Sequence, residues 1–414
     1  MRNGFLGVVV ACVVLAGCGD DGCSGAGCGG SAGSGGSAGS GGSAGSGGSA
    51  GSGGSAGSGG SAGSGGVAGE ISLQLDDYIT GLERPWDIAW LPNGTVLVTE
   101  RPGQLKVYVD GVDEAPSVIP LTDVVSTGGE GGMMGLEVDP NFNDNGYVYI
   151  CMASSAGAEN DVRVVRLTMS RPTAASVEDR LDIVTGMPHN DGSAGRHSGC
   201  RPRFGPDGVL WVGTGDAAFG STPQDDDSLG GKVLRVTRDG DAAEGNPGGR
   251  LWYSKGHRNI QGMAFRSDGI GMSAEHGPSI DDEINALVAG NFGWDPVPGY
   301  NESVPMTDLE KFPDAIEAAF ATGSPTLAYG GATFVEGDEW GDWNGVLAVA
   351  TLKASHLHVY DVDSAGNVTS RGRFVEDEGR LRSARQGPDG LLYITTDRHP
   401  DGDRVLRVAP VPVD

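Results

Sequence analysis

His197 stands in the segment Gly195-Arg-His-Ser-Gly-Cys-Arg201, at the entrance of an apolar run. An imidazole titrates near neutrality, so histidine is the usual general base for a hydroxyl proton. Arg258, in Gly256-His-Arg-Asn259, offers a fixed positive charge at the start of a second run, Gly262-Met-Ala-Phe265. Lys353, in Thr351-Leu-Lys-Ala-Ser355, and Arg380 and Arg382, in Gly379-Arg-Leu-Arg-Ser383, make a further cationic set. Alternate residues of a strand share a face, so Arg380 and Arg382 point the same way if they lie on one. Such cations suit an anionic ligand. The Gly277-Pro278 pair and the acidic run Asp281-Asp-Glu283 follow in the same stretch as Arg258. The bland alternatives are a packed histidine, arginines in salt bridges and a solvated acidic turn.

These residues must be held by strands. Residues 71–410 repeat one unit: an apolar strand, a turn of Pro, Asp, Asn and Gly, and a β-rich strand. Trp86–Leu91, Pro92-Asn-Gly94 and Val96–Thr99 form the first. The others begin near Met133, Arg201, Gly262, Thr326 and Ser383. Six units spaced by roughly 45–70 residues predict an all-β, six-bladed β-propeller with four-stranded blades. A sandwich is the rival, but six similar units in series disfavour it. The strand Ile71–Leu75 is expected to complete the last blade and so leave no long free edge. Asp314–Phe320 reads as one short helix in an insertion before the fifth unit. In a propeller the inner-strand ends and their loops meet at one channel mouth, which brings the distant motifs together.

The motifs Gly256-His-Arg-Asn259, Glu275-His-Gly-Pro278, Asp281-Asp-Glu-Ile-Asn285 and Asn291-Phe-Gly-Trp294 resemble those of the soluble quinoprotein glucose/sorbosone dehydrogenases, also called aldose sugar dehydrogenases. That family uses pyrroloquinoline quinone (PQQ) and calcium on a six-bladed propeller. The resemblance implies that His197 removes the proton of a sugar's anomeric hydroxyl while hydride passes to the quinone. It implies that Arg258 faces the reactive quinone oxygen, and that Lys353, Arg380 and Arg382 hold the PQQ carboxylates. Gly277 and Pro278 would give backbone carbonyls to the cofactor's calcium, and Glu283 matches a position at a second calcium. Three positions depart from the family pattern. Glu130, in Gly129-Glu-Gly-Gly-Met133, replaces a cofactor-side Gln, and a carboxylate there repels an anionic quinone unless it is paired or protonated. Arg196 precedes the histidine where glucose-specialised members have Asp. Phe292 replaces a Tyr. The expected reaction is oxidation of an aldose at its anomeric carbon to the lactone, with electrons passed to an external acceptor. The alternative from a different class is a non-catalytic propeller that binds a glycan or protein partner, and a calcium-dependent lactonase-type propeller is a third.

The formal charge is −27, from 28 basic and 55 acidic residues. This argues against a nucleic-acid partner, since phosphate binding needs clustered Lys and Arg. Residues 1–18 read as a lipoprotein signal peptide: Arg2, an apolar core from Phe5 to Leu15, and Leu15-Ala-Gly-Cys18, which resembles the bacterial lipobox. Cys18 would carry the lipid, making an exported protein on the periplasmic or cell-surface face of a membrane. Residues 19–69 are expected to be a disordered Gly/Ser/Ala-rich tether, because the repeated Gly-Gly-Ser-Ala-Gly-Ser offers no apolar surface to offset the entropy of ordering. About 40 such residues have a root-mean-square span of about 35 Å. Residues 70–414 are then the propeller. Cys151 and Cys200 lie within it, and spacing alone leaves their pairing open. No zinc-binding spacing is present.

Overall fold

The computed structural model describes residues 71–126 and 128–411. The proposed signal peptide, Cys18 and the tether lie outside them. Six sheets, built on antiparallel four-stranded meanders, follow one another along the chain, one per expected unit. Their inner strands are Pro85–Trp90, Met133–Val138, Arg201–Phe204, Ile260–Phe265, Tyr329–Val335 and Leu381–Gln386. Each inner strand packs on the next, and the sixth returns to the first. The fold is therefore the expected six-bladed propeller. The first strand, Ser72–Leu82, pairs antiparallel with the last, Asp403–Val411. Blade 6 is thus closed by both ends of the described chain, as the reading of Ile71–Leu75 anticipated.

Repeated turn chemistry makes the repeated hairpins. In blade 1, Gly94 N–H donates to Leu91 O at 2.9 Å, and Thr95 N–H to the Asn93 side chain at 3.1 Å. Gly94 has φ +89°, a left-handed conformation that favours glycine. Pro206-Asp-Gly208 and Pro388-Asp-Gly390 repeat the arrangement in blades 3 and 6: Val209 N–H and Leu391 N–H donate to the preceding Asp at 3.1 Å.

The core is divided rather than central. Six buried apolar clusters lie one at each blade interface. That between blades 3 and 4 is the smallest, with Trp211, Val233, Ile260 and Met263 as its buried members. The channel itself is filled by charge. Asp87 of blade 1 meets Arg201 at 2.7 Å and Arg203 at 3.1 Å from blade 3. Ser383 of blade 6 donates to Asp87 at 3.1 Å, and Arg385 reaches Glu137 of blade 2 at 2.8 Å. Burial pushes the Asp87 carboxyl up, but Arg201, Arg203 and Arg385 outweigh it and hold it far below the usual range.

Two features differ from expectation. Asp314–Phe320 is not a helix. Ile316 N–H donates to Asn291 O at 2.8 Å, a tertiary bond in place of a helical one. Phe320–Ala321 instead forms the short outer strand of blade 4, paired with Glu283–Ile284. Blade 3 gains a fifth, parallel strand, Gly290–Asn291. Cys151 and Cys200, left open by the sequence, form a disulfide between blades 2 and 3, with Cα atoms 6.0 Å apart. Among the described residues no helix is long and apolar enough to cross a membrane.

Candidate active site

In each blade the second strand runs antiparallel to the first. The entrance of the first and the exit of the second therefore share one end. Glu130, His197, Arg258 and Arg380 all sit at entrances of inner strands. Asp216, Gly277, Lys353 and Asp397 sit just after exits of second strands. One mouth collects all of them.

His197 is 1% exposed and has φ +55°, a strained conformation for a residue with a side chain. Its loop is held from below. A Cβ on Gly215 would lie 1.9 Å from His197 O, so only glycine allows this approach. His197 Nδ1 lies 2.7 Å from Asp216 Oδ1. Trp294 Nε1 and the Tyr300 hydroxyl donate to Asp216 Oδ2 at 2.8 and 2.7 Å. The hydroxyl oxygen also lies 3.0 Å from His197 Nδ1. Burial raises the Asp216 carboxyl's pKa, but His197, Arg258 and the Trp294 bond outweigh it, so the carboxylate is ionised. An ionised Asp216 fixes the proton on Nδ1 and leaves Nε2 as the basic nitrogen.

Arg258 is 3% exposed. Its guanidinium donates to His276 O at 3.0 Å and to Glu302 Oε1 at 2.6 Å. Burial disfavours its charge, but Tyr300, Asp216 and Glu302 hold its pKa above the ordinary value. Arg196 also donates to Glu302 Oε1, at 2.5 Å. Glu302 thus bridges Arg196, next to His197 in sequence, and Arg258. Its own carboxyl, pushed up by burial, is brought below the usual range by Arg196 and Arg258.

The Glu130 carboxylate accepts from Asn259 Nδ2 at 3.1 Å, Gln261 Nε2 at 3.3 Å and Ser198 N–H at 3.3 Å. Burial raises its pKa, but His197, His276, Asn259 and Arg382 outweigh it and lower it. The expected repulsion is therefore answered by pairing rather than by protonation. Gln261 also accepts from Arg382 at 2.6 Å, which ties Glu130 to the cationic set.

Arg382 and Arg380 both reach Asp397 Oδ2, at 3.2 and 3.5 Å, and Arg101 approaches Asp397 Oδ1 at 4.0 Å. Three guanidinium groups thus surround one carboxylate. Burial and the neighbouring Arg382 push Arg101 down to about 9, with Asp397 opposing. The buried Nε atoms of Arg101 and Arg382 have no hydrogen-bond partner among the described residues. Lys353 is exposed, and its ammonium donates to Thr326 Oγ1 at 3.1 Å. Its loop joins that of Gly277-Pro278. Lys353 N–H donates to Leu327 O at 3.1 Å, and Asp282 accepts from both Gly277 N–H, at 2.9 Å, and Leu327 N–H, at 2.5 Å. Burial pushes Asp282 up to about 6.

Glu283 lies elsewhere in blade 4, opposite Glu275 in the strand register. Burial and Glu275 raise its carboxyl well above the ordinary value. Glu275 in turn holds His257 Nδ1 at 2.9 Å and Arg258 N–H at 2.7 Å. Phe292 packs on His257, with ring centroids 4.5 Å apart. No group of three or more His, Cys, Asp or Glu side chains suited to a metal occurs among the described residues.

Asp216, Asp397 and Arg101 were missed in the sequence, yet each follows a second strand: Val212-Gly-Thr-Gly-Asp216, Ile394-Thr-Thr-Asp397 and Val98-Thr-Glu-Arg101. That shared register was a usable signal. Tyr300 and Glu302 lie in the irregular stretch after Trp294, where no period marks them.

A family model described as glucose/sorbosone dehydrogenase matches residues 82–407. The aldose sugar dehydrogenase of Escherichia coli K12 is 31% identical over 348 residues, which cover 80% of this chain and 91% of that protein. The apo-form soluble aldose sugar dehydrogenase structure from Escherichia coli superposes with a TM-score of 0.70 at 28% identity, over 82% of this chain and 100% of that one. The PQQ-bound aldose sugar dehydrogenase from Streptomyces coelicolor gives 0.67 at 28% identity, over 83% and 99%. With the model match spanning the whole propeller and the site motifs gathered at one mouth, the chain belongs to the glucose/sorbosone dehydrogenase family of oxidoreductases.

Proposed function

We propose that the protein is a PQQ- and calcium-dependent aldose dehydrogenase, oxidising a reducing sugar at the anomeric carbon to the lactone and passing electrons to an external acceptor. The observation that carries this is the His197–Asp216 pair beside a buried arginine and a cationic cradle. The cradle fits a polyanion: Arg101, Arg380 and Arg382 share one carboxylate, and the buried Nε atoms of Arg101 and Arg382 have no hydrogen-bond partner among the described residues. Arg380, Arg382 and Lys353 would hold the PQQ carboxylates, with Arg101 behind them. The carbonyls of Gly277 and Pro278 are hard oxygen donors of the kind calcium takes, and they would hold the cation beside the cofactor. Glu283 is proposed for a second calcium, where a cation would relieve its repulsion with Glu275.

Bound PQQ would supply the two-electron acceptor for the anomeric hydrogen. The chain's own part is proton chemistry and electrostatics. His197 Nε2 takes the proton of the anomeric hydroxyl while Asp216 holds Nδ1–H and balances the charge that forms on the ring. Arg258 places a fixed positive charge where negative charge develops, with no reorganisation needed at the moment of reaction. Glu302 and the His276 carbonyl hold that guanidinium in place. With bound PQQ supplying the two-electron acceptor, the sugar C1–OH whose proton His197 takes would become C=O.

The lipobox and tether would place the propeller at the periplasmic or outer face of a membrane, anchored through Cys18. The Cys151–Cys200 disulfide supports an oxidising compartment. To test the function, apo-protein is titrated with PQQ in excess calcium and supplied with glucose and other aldoses. PQQ-dependent dye reduction with stoichiometric lactone is expected. Protein that binds no PQQ, or binds it and oxidises no aldose, would refute the proposal.

A further inference from the structure

His356 and His358 lie on blade 5, one just before and one within the strand Leu357–Val362. Leu357 between them is fully buried, so both imidazoles take the strand's other face. His356 Nε2 is 3.1 Å from His358 Nδ1. The second nitrogen of each ring has a partner of its own. His356 Nδ1 lies 3.0 Å from Ala354 O, and His358 Nε2 lies 2.7 Å from Ser370 Oγ on the neighbouring strand, Val368–Phe374. A carbonyl only accepts, so Ala354 O fixes the proton of His356 on Nδ1 and leaves a lone pair on Nε2. The Ser370 hydroxyl donates or accepts, so His358 can carry its proton on either nitrogen. With that proton on Nε2, two lone pairs face each other across 3.1 Å.

This separation is the one a shared metal requires. Two nitrogens bound to one metal at about 2.0–2.1 Å lie roughly 2.8–3.4 Å apart for bond angles from square to tetrahedral. A backbone carbonyl on one outer nitrogen and a hydroxyl on the other are partners of the kind that orient metal-binding imidazoles. The Tyr360 ring stacks on His358 with centroids 4.6 Å apart and fixes its plane. Burial lowers the pKa of both histidines, to about 4 for His358, so both rings are neutral at physiological pH. Arg373 acts on both rings as a nearby cation, but Glu376 lies 3.7 Å from it and offsets its charge. The pair opens to solvent on one side: Ser370 is exposed, and the His358–Ser370 bond lies at the surface.

We infer that His356 and His358 form a two-histidine site for a late divalent transition metal, copper(II) ahead of zinc(II), on the third strand of blade 5. Imidazole suits these metals, and copper(II) heads their affinity order. Calcium takes oxygen ligands, so this site is chemically distinct from the calcium positions proposed above. Two imidazoles fall short of a closed structural site, and water would complete the coordination. Loading costs no proton: on His358 the proton moves from Nδ1 to Nε2, which then donates to Ser370 Oγ. The plainer alternative is an N–H···N bond between the rings that takes no metal.

The test uses the full chain without an affinity tag, in excess calcium, titrated with Cu2+ by calorimetry. One Cu2+ per chain is expected, with an electron paramagnetic resonance signal split by two imidazole nitrogens. His358→Gln should weaken this binding at least about tenfold. Ser370→Ala, an exposed change that leaves both ligands in place, should weaken it about tenfold through the lost outer partner. Cu2+ should also raise the melting temperature of the natural protein and not that of His358→Gln, because only the native pair binds it. Absence of saturable binding, a signal without two nitrogens, or equal affinity in the natural protein and His358→Gln would overturn the site and leave the plain hydrogen bond.

Discussion

At the scale of single residues, the site is a set of charges held by other charges. Asp216 Oδ2 takes hydrogen bonds from Trp294 and Tyr300 in addition to the histidine bond on Oδ1. Tyr300 touches no reacting atom in this arrangement, so it is a positioning residue. Tyr300→Phe should lower kcat by about an order of magnitude or less, the range of one hydrogen bond to a charged group, and leave PQQ affinity unchanged. Steady-state kinetics with a PQQ titration separate the two, and an unchanged kcat would remove Tyr300 from the machinery. His197 and Arg258 were legible because their motifs are short and local. Glu302 was not, since its meaning comes only from meeting Arg196 and Arg258 across 106 and 44 residues of sequence. Arg196 likewise gained its role from a partner the sequence does not mark.

At the scale of elements, the hairpin explains why the site exists. The residues singled out at inner-strand entrances, Glu130, His197, Arg258 and Arg380, and at second-strand exits, Gly277 and Lys353, gather at one mouth, while the exits at Arg101, Asp216 and Asp397 were overlooked. The loop after blade 3's second strand shows how such an exit is held. Lys232 is fully buried, and its ammonium donates to the carbonyls of Thr222, Pro223 and Gly230 at 2.6, 3.0 and 2.8 Å. It thereby closes the loop that begins at Asp216. Lys232→Met leaves these acceptors unpaired and should destabilise the protein by about 2–4 kcal/mol. Chemical denaturation would measure this, and a loss below about 0.5 kcal/mol would show that the loop is held otherwise. The blade strands were legible because their period and turn residues agree. The stretch from Leu287 to Thr322 was not, because Phe292, Trp294 and Thr322 bond through their N–H groups to the distant Lys255, Gly256 and Asp282 carbonyls.

At the scale of the whole molecule, six apolar interfaces surround a channel stitched by ions. The sequence showed the repeat and so the propeller, but it could not show that Asp87 joins blades 1, 2, 3 and 6. Folding lowers the pKa of Asp87 from 3.8, because the guanidinium groups outweigh burial. The stability it contributes is therefore complete above about pH 4 and is lost as pH falls below that value toward the folded pKa. In Asp87→Asn the melting temperature should fall at neutral pH, and its dependence on pH below about 4 should flatten. Parallel acid limbs in thermal melts of the two proteins would contradict this.

The central claim at this scale is that one mouth holds two separable devices, a base and a cationic cradle. The most direct measurement is sugar-dependent dye reduction across a PQQ titration in excess calcium, made on His197→Ala and Lys353→Ala after a folding check. His197→Ala should lose about 10²–10⁴ in rate at saturating PQQ with little change in quinone affinity. Lys353→Ala should bind PQQ more weakly, by about 1.5–3 kcal/mol, and recover turnover as PQQ approaches saturation. Full sugar turnover in His197→Ala, or unchanged quinone affinity in Lys353→Ala, would contradict the assignment.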